Sequence, residues 1–416
     1  MINVLINAYA CSPNWGSEPG MAWNWISNLA TYCNLFVITE GEWKEEIEKE
    51  VLAHPNKDHL HFYYNPVPEK IRKMCWNQGD WRFYWYYRKW QLKTLEMARK
   101  ICMEHPIDIL HQLNMIGFRE PGFLWRIQEI PFVWGPIGGM ELMPIGYLEE
   151  ASLKQKTMTH LKNYLNNYQT KHSKRVHKAI ERADALVAAV KGVKEKIERY
   201  YHKDVVLINE TGCKIKGYYE HVSKESDTLK ILWVGKFGFR KQLSVALKTI
   251  AGLSDIKVEL HIVGSGSEDD VTYYKRLAQN MGVDSMCHWY GVIKNDEVQK
   301  LMRESDLLLF TSIMEGTPHV VLEAISNCLP VLCLDTCGQS ASVNEHVGAK
   351  IALTSTTQSA IDFAKQIRML YQNRKRLSEM SKACVERQKE LSWENKAIQM
   401  VNIYKNIIGG QRNGKA

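Results

Sequence analysis

No apolar run in this 416-residue chain approaches the roughly 20 residues that a membrane-spanning helix requires. Nothing in it is low in complexity and no internal repeat recurs, which excludes repeat architectures and a disordered chain. Ten cysteines are scattered without C-x-x-C spacing, so they read as buried thiols in a reducing compartment. No Asp-x-Asp pair of the kind that holds a divalent cation on a phosphorylated ligand is present. The first residues, Met1 to Tyr9, have no basic leader or small-residue cleavage site, and a secretory signal is not expected. These absences lead to the expectation of a folded cytoplasmic protein.

What is present is a length beyond one hydrophobic core, with apolar and charged fractions of 45% and 24% that are ordinary for globular chains. The net charge of +8 is modest, and no recognition motif accompanies it, so nucleic acid is not the expected partner. The basic residues concentrate in two stretches. One runs from Lys70 to Lys100 and interleaves Trp81, Trp85, Tyr87 and Trp90 with Arg82, Arg88 and Lys89; the other runs from Lys154 to Lys178. Such a helix either packs its aromatic stripe inward or lies on an anionic lipid surface, so peripheral membrane association is one expectation.

Apolar β-branched runs alternate with helical patterns throughout, which predicts parallel sheets with crossover helices, an α/β class. In the first half, strands are expected at Val4–Ala8, Leu35–Thr39, His59–Tyr63, Ile107–His111, Phe132–Trp134, Ala185–Ala189 and Val205–Ile208. Helices are expected at Met21–Tyr32, Trp81–Glu104 and Ser173–Arg182. A second series begins at Leu229–Gly235 and continues with Val258–Val263, Cys287–Tyr290, Leu307–Phe310, Val331–Leu334 and Lys350–Ala352. The expected division is therefore 1–208, a linker at 209–228, a second domain at 229–390 and a final helix at 391–416.

The most informative segment is Phe310 to Ala324, which reads strand, loop, helix. Thr317 is a candidate N-cap, and Pro318 suits the first turn because its missing N–H costs nothing there. The free N–H groups and positive dipole end of that helix suit a pyrophosphate. Glu315 precedes this anion site, and Glu323 lies two turns on, among Val320, Val321 and Leu322. A carboxylate in that setting needs hydrogen-bond partners, and a ribose diol is a fitting one. Lys236, Arg240 and Lys241 follow the strand ending at Gly235, where cations can neutralise a leaving diphosphate.

The Glu315-x7-Glu323 spacing, with Gly316 after the first Glu, resembles the motif of retaining GT-B glycosyltransferases of family 4. Val234-Gly235-Lys236 with Arg240-Lys241, the glycine turn Ile262 to Gly266, and Tyr290 to Ile293 match further family segments in order. Gly338 stands where the family often has a glycine pair, a small departure, and Leu391 to Glu394 opens a helix resembling the family's last one. The resemblance implies two Rossmann-like domains facing across a cleft, the last helix crossing back to the first. It implies a hexose moved from a nucleotide-diphosphate sugar to a glycan or lipid-linked acceptor, with no metal or other cofactor. In that reading Glu315, Lys241, Lys236 and His111 are the catalytic set, His111 pointing into the cleft. Arg240, Gly264, Val292, Ile293, Gly316, Thr317, Pro318, His319, Val320 and Glu323 bind the donor. The N-terminal turn contributes Gly16 and Ser17, the latter also a candidate helix cap, and Gly135 to Gly139 lines the acceptor side.

Other readings stay open: a sugar-nucleotide epimerase or hydrolase on the same fold, and a non-catalytic polysaccharide-binding protein. A dinucleotide-dependent oxidoreductase is disfavoured, because Asp269 stands where the Gly264-Ser265-Gly266 turn needs a third glycine.

Overall fold

The computed structural model describes residues 1–77, 80–149, 151–219, 227–316 and 318–413. Thr317 and residues 220–226 of the expected linker lie outside these described residues. The chain forms two compact units: one comprises 1–141, 166–210 and 393–416, the other 142–165 and 211–392.

The first unit carries seven strands: β1 (Ile2–Ala8), β2 (Cys33–Thr39), β3 (Leu60–Tyr64), β4 (Ile109–Asn114), β5 (Phe132–Ile137), β6 (Ala185–Ala188) and β7 (Val206–Leu207). They pair in the order β3-β2-β1-β4-β5-β6-β7, every pair parallel. Helices cover both faces, so the strands are apolar continuously rather than alternately. Leu5, Phe36, Leu110 and Trp134 pack on one face. Val4, Ile6, Val37 and Val133 pack on the other.

The second unit repeats the plan with β8 (Leu229–Val234), β9 (Val258–Val263), β10 (Cys287–Gly291), β11 (Leu307–Phe310), β12 (Val331–Leu334) and β13 (Gly348–Ile351). Their order, β10-β9-β8-β11-β12-β13, is again wholly parallel. In both sheets the strand order reverses beside the first strand, giving the doubly wound arrangement in which ligands bind beyond the carboxyl ends of strands.

Two long-range excursions complete the units. The last helix, Trp393–Asn413, belongs to the first unit, where Met400, Val401 and Tyr404 are buried with Val4 and Ile6. The segment 142–165, placed by sequence in the N-terminal domain, instead packs with the second unit. Tyr147 is anchored there by a 2.5 Å hydrogen bond between its hydroxyl and Ser359 Oγ. No described helix is long and apolar enough to cross a membrane. Cys11, Cys33, Cys75, Cys102, Cys287, Cys333 and Cys384 are free thiols.

Candidate active site

In the second unit the carboxyl end of β8 runs into a glycine and then the cationic loop. Gly264, just past β9, has φ +127°, and a Cβ there would stand 1.8 Å from the Gly235 carbonyl oxygen. Only glycine permits that approach. It opens a cavity of about 580 Å³ whose lining includes Lys236, Gly264, Gly266, Val292 and Ile293. Lys236 and Val292 are exposed at its rim, and Ile293 is half-buried.

Beside this cavity the loop after β11 is stitched to the cationic turn Phe239–Lys241. Ile313 N–H donates to the Arg240 carbonyl at 2.9 Å, and Ser312 Oγ lies 3.1 Å from the same oxygen. Thr311 Oγ1 donates to the Lys241 carbonyl at 2.7 Å and accepts from Trp233 Nε1 at 3.0 Å. This stitching delivers the Lys241 ammonium to Glu315 Oε1 at 2.5 Å, with the side chains only 22% and 15% exposed. Ser312 Oγ donates to that carboxylate oxygen at 2.7 Å. Lys241 also lies 5.5 Å from the Phe310 ring centre.

The helix that follows, His319–Ser326, starts one residue after Pro318, whose carbonyl accepts from Val321 and Leu322. Gly316 is exposed, Val320 half-buried, and the Gly316 carbonyl leaves no room opposite: a Cβ on Gly338 would meet it at 2.2 Å. Gly338, the single glycine where the resembled family often has a pair, is thus held close to the Gly316 carbonyl. His319 has its pKa lowered chiefly by desolvation, Glu315 pulling upward and Lys241 adding to the fall. Glu323 has its own set of partners. Burial raises its pKa against the pull of Lys216, and Gln299 Nε2 donates to it at 3.3 Å. Lys216 Nζ in turn donates to Gln299 Oε1 at 2.7 Å. Sequence reasoning missed Lys216, since nothing local ties it to a residue 107 positions on; only its place in a short basic run hinted at it.

Two expectations in the first unit change. His111 does not face a cleft: it is fully buried in β4, Nδ1 2.6 Å from Tyr404 Oη and Nε2 2.7 Å from the Gly135 carbonyl oxygen. Desolvation lowers its pKa to about 4. Nδ1 fixes the last helix to the sheet and Nε2 bonds the neighbouring strand, so neither nitrogen is left for a ligand. Ser17 does not cap the first helix, Ser17–Leu29; it is the first helical residue, with φ +55°, and Gly16 holds the cap position without a side-chain bond. Nothing stands within 4 Å of a Cβ built on Gly16. Gly20 is the residue the turn cannot replace, since a Cβ there would stand 1.9 Å from the Trp15 carbonyl oxygen.

Ser17 and the neighbouring Glu18 line a second cavity, about 310 Å³, with Tyr9, Trp76, Asp80 and Tyr84. Glu18 was not anticipated. Its carboxylate accepts from Ile116 N–H at 2.6 Å, and burial raises its pKa against that bond. The aromatic-basic stretch divides. Phe83, Tyr87 and Trp90 are core, while Trp81, Trp85 and Trp76 are exposed, Lys89 Nζ sitting 3.6 Å over the Trp85 ring.

Residues 219–390 match the family model described as glycosyl transferases group 1. Over 166 residues the chain is 27% identical to a lipopolysaccharide 1,6-galactosyltransferase of Escherichia coli K12, which is 39% of this chain and 45% of that protein. The chain thus spans less than half the length of that curated relative. Among solved structures, an apo lipopolysaccharide outer core galactosyltransferase WaaB superposes with a TM-score of 0.64 at 16% identity, covering 99% of this chain and 100% of that one. Anabaena Alr3699/HepE in complex with UDP gives a TM-score of 0.61 at 13% identity, covering 98% and 100%. The fold is GT-B, and residues 219–390 are similar to the glycosyl transferases group 1 family.

Proposed function

We propose that this chain is a glycosyltransferase that takes a hexose from a nucleotide-diphosphate sugar and adds it to a glycan or lipid-linked acceptor in surface polysaccharide synthesis. The observation that carries the reading is the 2.5 Å pairing of Lys241 with Glu315 at the carboxyl edge of the second sheet, beside a glycine-walled cavity. A cation next to a carboxylate at the start of a helix suits a ligand that carries both anionic phosphate and sugar hydroxyls.

In this reading the diphosphate lies against Lys236, Arg240 and Lys241, with backbone approach permitted by Gly264. Backbone groups near Val292 and Ile293 hold the base. The N–H groups at the start of the His319–Ser326 helix, with Gly316, Pro318, His319 and Val320, face the phosphate and sugar. Glu315 orients sugar hydroxyls and Glu323 accepts from the ribose. The bond from the anomeric carbon to the diphosphate oxygen breaks, its electron pair leaving with the phosphate. The acceptor oxygen bonds to that carbon from the same face, which retains configuration, and its proton passes to the leaving phosphate oxygen. Protein cations supply the charge neutralisation, so no metal is assigned to the step. His111, with both nitrogens committed, is taken out of the catalytic set.

The acceptor is assigned to the first unit, whose aromatic cavity at Tyr9, Ser17 and Glu18 suits a sugar ring. Exposed Trp81 and Trp85 beside Arg82 and Lys89 fit peripheral attachment to an anionic membrane face. Free thiols are consistent with a cytoplasmic setting. A thermal-shift screen against UDP-, GDP- and ADP-sugars tests the donor class, with UDP the favoured nucleotide because HepE binds it. Product analysis with and without acceptor separates transfer from epimerisation or hydrolysis; a changed donor sugar formed without acceptor would reject the transferase.

A further inference from the structure

The second sheet brings three metal-binding side chains together outside the cavity lining just described. Glu259 and His261 are two residues apart on β9 and therefore share a face. Strand register sets His261 directly beside His288 of β10. The two imidazoles stack with ring centres 4.9 Å apart and 23° between planes. Glu259 Oε2 lies 3.4 Å from His261 Nε2 and 3.7 Å from His288 Nε2. One ligand atom from each residue falls within 4.8 Å of the other two. Bonds of about 2.0–2.1 Å around a tetrahedral ion put its donor atoms roughly 3.4 Å apart. The Glu259 carboxylate therefore stands near that spacing from both imidazoles.

We propose that Glu259, His261 and His288 bind one divalent transition-metal ion, with zinc the best fit to two imidazole nitrogens and a carboxylate oxygen. The ring of His261 carries the argument. Its Nδ1 is held 2.8 Å from the Tyr290 hydroxyl, while its Nε2 is buried and makes no hydrogen bond. In the tautomer with Nδ1–H donating to the Tyr290 hydroxyl, Nε2 presents a lone pair on the side of the Glu259 carboxylate, where a cation would be held by both. A partner on the far ring nitrogen is what fixes a metal-binding histidine in its tautomer and orientation.

Three protein ligands leave a fourth position for water. β10 is the edge strand of its sheet, joined only to β9 among the described strands, so the ion ties that edge to the body of the unit. The ligands lie along β9 and β10 rather than beyond their carboxyl ends, so the site does not rest on the transferase reading.

The test uses the full chain, stripped with EDTA and desalted, and titrated with zinc chloride by calorimetry. One equivalent should bind, and at a hundredfold excess over the dissociation constant the Tm should rise by roughly 5–10 °C. Cobalt chloride should give the visible absorption of a tetrahedral ion. His288→Ala and Glu259→Gln, both at partly exposed side chains, should each weaken zinc at least tenfold while far-ultraviolet circular dichroism and the thermal response to UDP stay as in the parent. The proposal fails if no stoichiometric, EDTA-reversible binding is seen. It fails equally if binding survives undiminished in the His261→Gln, His288→Ala double variant, since other histidines would then be responsible.

Discussion

Replacing Lys241 with methionine keeps the length and apolar stem of the side chain and removes one charge. In the structure that charge serves Glu315 at 2.5 Å. A unit charge about 4 Å from a phosphate oxygen, at an effective dielectric near 20, contributes about 4 kcal/mol. Part of this is already present in the ground state with bound donor, and part is spent on Glu315, so the share that grows as the phosphate departs is smaller. Roughly 3–4 kcal/mol, or about 10²–10³ in kcat, is the expected loss, comparable with removal of one preorganised donor to an oxyanion. Stability should fall far less, about 1–2 kcal/mol, because Glu315 keeps Ser312 and some solvent when the ammonium goes. Single-turnover transfer from the responding nucleotide sugar, alongside urea unfolding, measures both. Glu315→Gln in the same assay completes a double-mutant cycle, and the pair should couple strongly. Turnover by Lys241→Met within about threefold of the parent would refute the role of this cation.

Other outcomes follow from the same geometry. Gly264→Ala introduces a Cβ 1.8 Å from the Gly235 carbonyl at φ +127°, and should cost about 3 kcal/mol or more in urea unfolding. His111 is neutral and buried, with its pKa lowered from 6.5 to about 4. Between those values the unfolded chain binds the extra proton, so stability is full above about pH 6.5 and declines as pH falls, by about 3 kcal/mol in all. His111→Gln should flatten that part of the stability–pH curve and lower Tm, while kcat in the folded fraction stays close to the parent value. The double variant Trp81→Ser, Trp85→Ser should weaken co-sedimentation with phosphatidylglycerol vesicles and leave turnover on a water-soluble acceptor unchanged; unaltered sedimentation would remove the membrane assignment.

The strand series was readable because parallel strands covered on both faces are apolar throughout, and turns punctuate them. Val258–Val263, Leu307–Phe310 and Val331–Leu334 lie at the residues expected. Ends drift where a polar residue sits inside a strand. Expected to end at His111, the fourth strand runs to Asn114, because His111, Gln112 and Asn114 are all bonded inside the protein. The first helix starts at Ser17 rather than Met21, its opening turn hidden by Pro19 and Gly20.

Local chemistry, then, was written in the chain: two α/β series, a glycine turn that tolerates only Gly264, and a loop-to-helix segment bearing Glu315 and Glu323. These follow from side-chain size, backbone freedom and periodicity, which act over a few residues. Tertiary packing alone decided that Lys241 meets Glu315 across 74 positions, that residues 142–165 join the second unit, and that His111 is used up by Tyr404 near the far end of the chain. A histidine or carboxylate looks the same in sequence whether its partner is a ligand or a residue hundreds of positions away. Burial and the saturation of its hydrogen bonds draw that distinction, and both exist only once the chain has folded.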